Sequence, residues 1–275
     1  MADLPTAPKK MFDAIQDWCG GHGITLVLDS TIGLGANFDY NNQAAPGKQN
    51  PHVVVRDETQ GPMFLHEAFH AAYYLDEVKA QADPAKAKAL EEGRTAMDRQ
   101  INDLLRLEND LGPAEQGILE NIFGSKSYYA GPISPTELFS YTNNLVDESR
   151  ATSVTENDRV GHPMDNFNEF CASLSASAAY GDFKTFSKRL TDLQKAAEKN
   201  PELAKIYDQL HNVLAAALPL VTKYAEQLRM ANGFGPEPPE LMQMELNLAK
   251  MTKLLNELPL AQLQGEQASG NLAKR

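Results

Sequence analysis

In Leu65-His66-Glu67-Ala68-Phe69-His70, two histidines stand four positions apart with a glutamate directly after the first. On a helix, residues four apart share a face, so His66 and His70 can present their imidazoles to one metal ion. Glu67 points to a different side of the same turn. From there it can take a proton from a zinc-bound water rather than bind the metal. Histidine is scarce, six in 275 residues, which makes chance a poor explanation of the spacing.

The flanks supply context. Upstream, Pro51-His52-Val53-Val54-Val55-Arg56 is a short β-branched run that reads as a strand, and Asp57 to Gly61 reads as a turn. Downstream, Ala71-Ala72-Tyr73-Tyr74-Leu75 keeps the helix apolar and fit for burial. The motif helix is predicted from about Pro62, a favourable first-turn residue, to about Ala80. In this order of strand, turn and motif helix, residues 24 to 76 resemble the zincin metallopeptidases. In that family an edge strand lies beside the active-site helix, where an extended peptide can pair with it.

The resemblance implies a third zinc ligand, since a catalytic zinc takes three protein ligands and a water. Asp76 follows His70 by six residues, but Tyr73 stands where a glycine-enabled turn would be needed, so the helix carries Asp76 away. The gluzincin branch instead draws a glutamate from a later helix. Two segments are similar to that of the lethal-factor type, in which a helix and a tyrosine precede Glu-Phe-Phe-Ala-Glu. One is Tyr128-Tyr129-Ala130-Gly131-Pro132-Ile133-Ser134-Pro135-Thr136-Glu137-Leu138-Phe139-Ser140, and the other is Gly161-His162-Pro163-Met164-Asp165-Asn166-Phe167-Asn168-Glu169-Phe170-Cys171-Ala172-Ser173.

Glu137 has the better context and is the expected third ligand. A helix at 113 to 124 precedes it, and Tyr129, or alternatively Tyr128, lies upstream to donate to the oxyanion. Ser134-Pro135-Thr136-Glu137 is also a capping pattern, which explains this glutamate without any metal. Glu169 is the alternative, with His162 in the oxyanion role and small residues following that suit close packing. Glu148 is a remote third possibility. Tyr141 and Ser173 stand where the family pattern has a second acidic residue, so the outer shell stays unassigned.

Composition bounds the rest. A chain of 275 residues, 42% hydrophobic, can bury a full core. A net charge of -12 argues against nonspecific binding to nucleic acid or anionic membrane. Two cysteines, Cys19 and Cys171, make no disulfide framework and favour a reducing compartment. No apolar run approaches a membrane span, and the start lacks a signal-like h-region, so a cytoplasmic protein, or one exported without an evident signal peptide, is expected.

The predicted fold class is α+β: a small mixed sheet and the motif helix, then a mostly helical C-terminal half. A helix over 10–19 carries Met11, Phe12, Ile15 and Trp18, and strands follow at 24–28, 36–40 and 52–56. Residues 1–182 are expected to form the zincin-like catalytic domain, with a helical insertion at about 84–124 whose long helix has Ala96, Ile101, Leu104, Leu105 and Leu107 as its apolar stripe. Residues 183–275 are expected to be a helical extension, with helices at 183–198, 201–231 (kinked at Pro219) and 239–257. His22, His52 and His211 read as turn, strand and polar-face residues, and Cys171 as core filler.

The expected function is that of a zinc metalloendopeptidase acting on a protein or peptide substrate. A binding or regulatory module that keeps the fold without turnover is the alternative. An all-helical interaction protein with an accidental motif comes third.

Overall fold

The computed structural model describes residues 6–32, 36–40, 44, 49–56, 61–124, 133–139, 164–232 and 237–261. It opens with helix α1 (Thr6–Gly21), in which Met11, Phe12, Ile15 and Trp18 form the buried face that their spacing predicts. Gly23, at φ 72°, takes the left-handed conformation that turns the chain into β1 (Thr25–Leu28). β2 (Ala36–Asp39) and β3 (His52–Val55) complete a three-stranded sheet in the order β1-β3-β2.

β3 is central, parallel to β1 and antiparallel to β2. Its alternation decides its orientation: Val53 and Val55 are fully buried while His52 and Val54 are half-buried. β1 lies at one edge, with Val27 and Leu28 exposed. β2 forms the other edge and packs against α2 (Gly61–Ala80), the motif helix. Helices over a small mixed sheet bear out the α+β expectation at that level.

The expected insertion consists of α3 (Pro84–Asn109) and α4 (Pro113–Phe123). Asp83 caps α3 through the N–H groups of Ala85 and Lys86. Ile101 and Leu104 are buried and Leu105 and Leu107 partly so, but Ala96 is exposed. The apolar stripe therefore begins at Met97 rather than Ala96, flanked by the polar contacts of Arg94 and Asp98.

A short α5 (Pro135–Phe139) precedes α6 (Phe167–Tyr180), which is buried almost along its whole length. The small residues Ala172, Ser173, Ser175, Ala176 and Ser177 let α6 run close beside α2 and also meet α5, α8 (Pro201–Ala231) and α9 (Pro239–Glu257). α7 (Phe183–Ala197) packs against α8 and α4. α8 runs unbroken through Pro219, whose ring sits on the exposed side, where the missing N–H costs least. Apolar residues from both sides of residue 183 line one continuous core. Among the described residues no helix is long and apolar enough to cross a membrane.

The fully buried Asn247 of α9 ties down the C-terminal end of α6. Its Nδ2 donates to the carbonyl of Ala178 at 2.8 Å and of Gly181 at 3.4 Å. Asn247→Ala leaves buried carbonyls unsatisfied and is expected to lower stability by about 1–3 kcal/mol in urea denaturation. A midpoint equal to that of the parent would remove this anchor from the account of the fold.

Candidate metal centre

His66 and His70 project from one face of α2, and Glu169 meets them from the first turn of α6. The two Nε2 atoms are 3.0 Å apart. Glu169 sets Oε2 at 3.2 Å from His66 Nε2 and Oε1 at 3.4 Å from His70 Nε2. Zinc bonds of about 2.0–2.2 Å in a tetrahedron imply ligand-to-ligand edges of roughly 3.3–3.6 Å. The His70–Glu169 separation of 3.4 Å falls in that range, the other two fall short of it, and the Glu169 contacts run to its two different oxygens, so two imidazoles and a carboxylate form a donor set close enough to share a divalent ion. Among the described residues this is the only group of three or more histidine, cysteine or acidic side chains close enough to share a metal.

Without a metal the cluster has the electrostatics of an ion pair. Burial alone would lower the His70 pKa, but the hydrogen bond and charge of Glu169, with the charge of Glu67, overcome it and raise the imidazole to about 9. Burial would raise Glu169, yet its hydrogen bonds to both histidines and their charge hold its carboxyl well below the usual range. The cluster thus favours an anion facing positive charge. His66 Nδ1 is buried and makes no hydrogen bond among the described residues.

Local chemistry fixes Glu169. Asn166 caps α6, its Oδ1 accepting the Glu169 N–H at 2.9 Å, and Asp98 of α3 accepts the Phe167 N–H at 2.8 Å. The first turn of α6 is therefore held from two directions, and the glutamate at its third position faces α2.

Glu67 stands outside the three-residue group. Its Oε2 accepts the backbone N–H of Phe38, on the edge strand β2, at 2.9 Å. It lies beside the cluster, held by the edge strand, and is not among the three groups close enough to share a metal.

The expected third ligand needs correction. Glu137 lies on α5, where its N–H is capped by Ser134 Oγ at 3.3 Å and its carbonyl accepts a hydrogen bond from Arg189 of α7. Its backbone takes part in the capping pattern, and the carboxylate that stands beside the two histidines is that of the alternative, Glu169. Asp76 pairs with Lys223 of α8 at 2.8 Å, carried away from the cluster by the uninterrupted helix as Tyr73 implied. Tyr128, Tyr129, Glu148 and His162 lie outside the described residues.

The bland assignments are supported by local bonding. His22 Nδ1 lies 2.8 Å from the Trp18 carbonyl, His52 Nδ1 lies 3.2 Å from that of Asn50, and His211 Nε2 lies 3.1 Å from that of Leu255. Cys19 and Cys171 are free and buried, and burial raises both thiols, Cys19 to about 12, so neither is a ready nucleophile.

Three contributors went unread in the sequence: the Phe38 N–H, the Asp98 carboxylate and the Asn166 cap. The cap had a legible signal, since Asn166-Phe167-Asn168-Glu169 repeats the spacing seen at Ser134 to Glu137. The other two depend on segments distant in the chain and carry no local mark. Comparison of the chain with family models, with curated proteins and with solved structures finds no match.

Proposed function

We propose that the protein is a zinc-dependent metalloendopeptidase of the gluzincin kind, with a zincin-like arrangement of edge strand and motif helix. The observation that carries this reading is the convergence of His66, His70 and Glu169 close enough to share one metal ion, with Glu67 beside them.

His66, His70 and Glu169 would hold the ion. Zinc, when bound, supplies a Lewis acid that polarises the scissile carbonyl and makes water more acidic. The Glu67 carboxylate accepts the proton of the attacking water and later returns it to the leaving amine. Because Phe38 N–H engages Oε2, the carboxylate is oriented and Oε1 is left to take the proton.

β2 supports a substrate of extended backbone. In an antiparallel pair, successive residues direct their backbone groups to opposite sides. The Phe38 N–H reaches Glu67, so the backbone groups of Ala36 and Phe38 point away from β3. A peptide strand added there passes directly by Glu67.

The test is metal content followed by cleavage. After zinc supplementation we expect one zinc per chain by elemental analysis, lost when His66 and His70 are both replaced by alanine. Less than a tenth of an equivalent would sink the reading. A peptide library digested by the loaded protein and read by mass spectrometry should show cleavage that stops with a chelator and returns with zinc. Bound metal without any cleavage would favour the binding-module alternative.

A further inference from the structure

Two ligands of the proposed centre come from α2 and the third from α6, so the metal depends on how these helices are held relative to one another. One turn of α3 touches both. Arg94 donates to the Tyr73 carbonyl at 3.0 Å, pairs with Glu77, and lies 3.5 Å above the Tyr73 ring, gripping α2 one turn beyond His70. Asp98, four residues on and so on the same face of α3, accepts the Phe167 N–H at 2.8 Å, two residues before Glu169. We infer that α3 is a brace for the metal centre, in which Asp98 is a positioning residue that sets Glu169 against His66 and His70.

The physical argument lies in what Asp98 binds. The N–H groups of a first helical turn have no partner within the helix, and Phe167 is the first residue of α6. Asn166 satisfies the Glu169 N–H, but its side chain belongs to the same segment and moves with it. Among the described residues Asp98 supplies the one hydrogen bond from another helix to a backbone N–H of this turn, and its charge also favours the positive end of the α6 dipole. Without it α6 remains capped and helical, but the rotation and height of its first turn against α2 are no longer tied to α3. An error of a fraction of an ångström there falls directly on the carboxylate.

The inference rests on the proposed metal centre, and the experiment separates the two. Cobalt(II) is titrated into metal-free full-length protein in competition with a chelator, and its d–d absorption is recorded. Asp98→Ala is expected to weaken cobalt binding about 10–100-fold and to alter the d–d bands, the usual effect of losing a partner that orients a ligand. Asp98→Asn keeps an acceptor oxygen and is expected to stay within about threefold of the parent.

Asp182→Ala is the control. Asp182 caps α7 through the Lys184 and Thr185 N–H groups, the same chemistry away from the centre, so cobalt affinity should not change. Asp98→Glu keeps the charge but displaces the oxygen by a methylene, and is expected to weaken binding even if the alanine variant fails to fold. Asp98→Ala or Asp98→Glu binding cobalt as tightly as Asp182→Ala would overturn the brace while leaving the centre intact. Failure of the parent protein to bind cobalt would overturn the centre itself and the brace with it.

Discussion

Glu67→Gln is expected to retain its zinc and to lose turnover by about 10²–10⁴-fold, the range that a positioned general base supplies. The substitution isolates one property. A glutamine oxygen can still accept the Phe38 N–H, so the side chain keeps its anchor on β2. An amide cannot take the proton of the attacking water. The loss should therefore appear in kcat and kcat/KM alike, as expected for an interaction made only in the transition state. Elemental analysis on the same preparation makes the result decisive. Disappearance of zinc would reassign Glu67 as a ligand, and undiminished turnover would remove it from the mechanism.

The second large effect concerns the third ligand. Glu169→Ala removes the carboxylate that lies 3.2 and 3.4 Å from the two histidine nitrogens. Two histidines alone leave half of a tetrahedral site to solvent. Zinc affinity should then fall by more than the roughly 10–100-fold that an outer partner is worth, so that a mild chelator strips the variant. Glu137→Ala is the matched comparison, since Glu137 occupies the equivalent place in the other candidate segment. The hydrogen bonds of its backbone N–H and carbonyl to Ser134 and Arg189 survive truncation of the side chain. Zinc retained in Glu169→Ala and lost in Glu137→Ala would reverse the assignment.

The contrast between these two glutamates shows where local information ends. Ser134 to Glu137 and Asn166 to Glu169 have the same spacing, a capping residue followed three positions later by glutamate. Both caps form, at 3.3 and 2.9 Å. What separates the sites is the helix that follows. α5 (Pro135–Phe139) is tied to α7 through Arg189, whereas α6 continues through a run of alanines and serines that brings it against α2. The upstream helix and tyrosines that favour Glu137 in the sequence carry no information about which helix lies beside the histidines.

The sequence by itself determined the elements whose causes are local. Helical spacing put His66 and His70 on one face, with Glu67 turned aside. The β-branched run His52 to Val55 specified a strand. The capping asparagine or aspartate and the glycine or proline punctuation marked the ends of α3, α6, α7 and α8. Tertiary structure decided everything that joins distant segments. Glu169 reaches His66 across 103 residues, Phe167 reaches Asp98 across 69, and Phe38 reaches Glu67 across 29. A helix or strand is specified by interactions within a few residues. A three-ligand site is specified by the relative placement of two helices, which is set by the shapes and volumes of side chains that pack between them. That information is spread over the whole core, and no single stretch of the chain contains it.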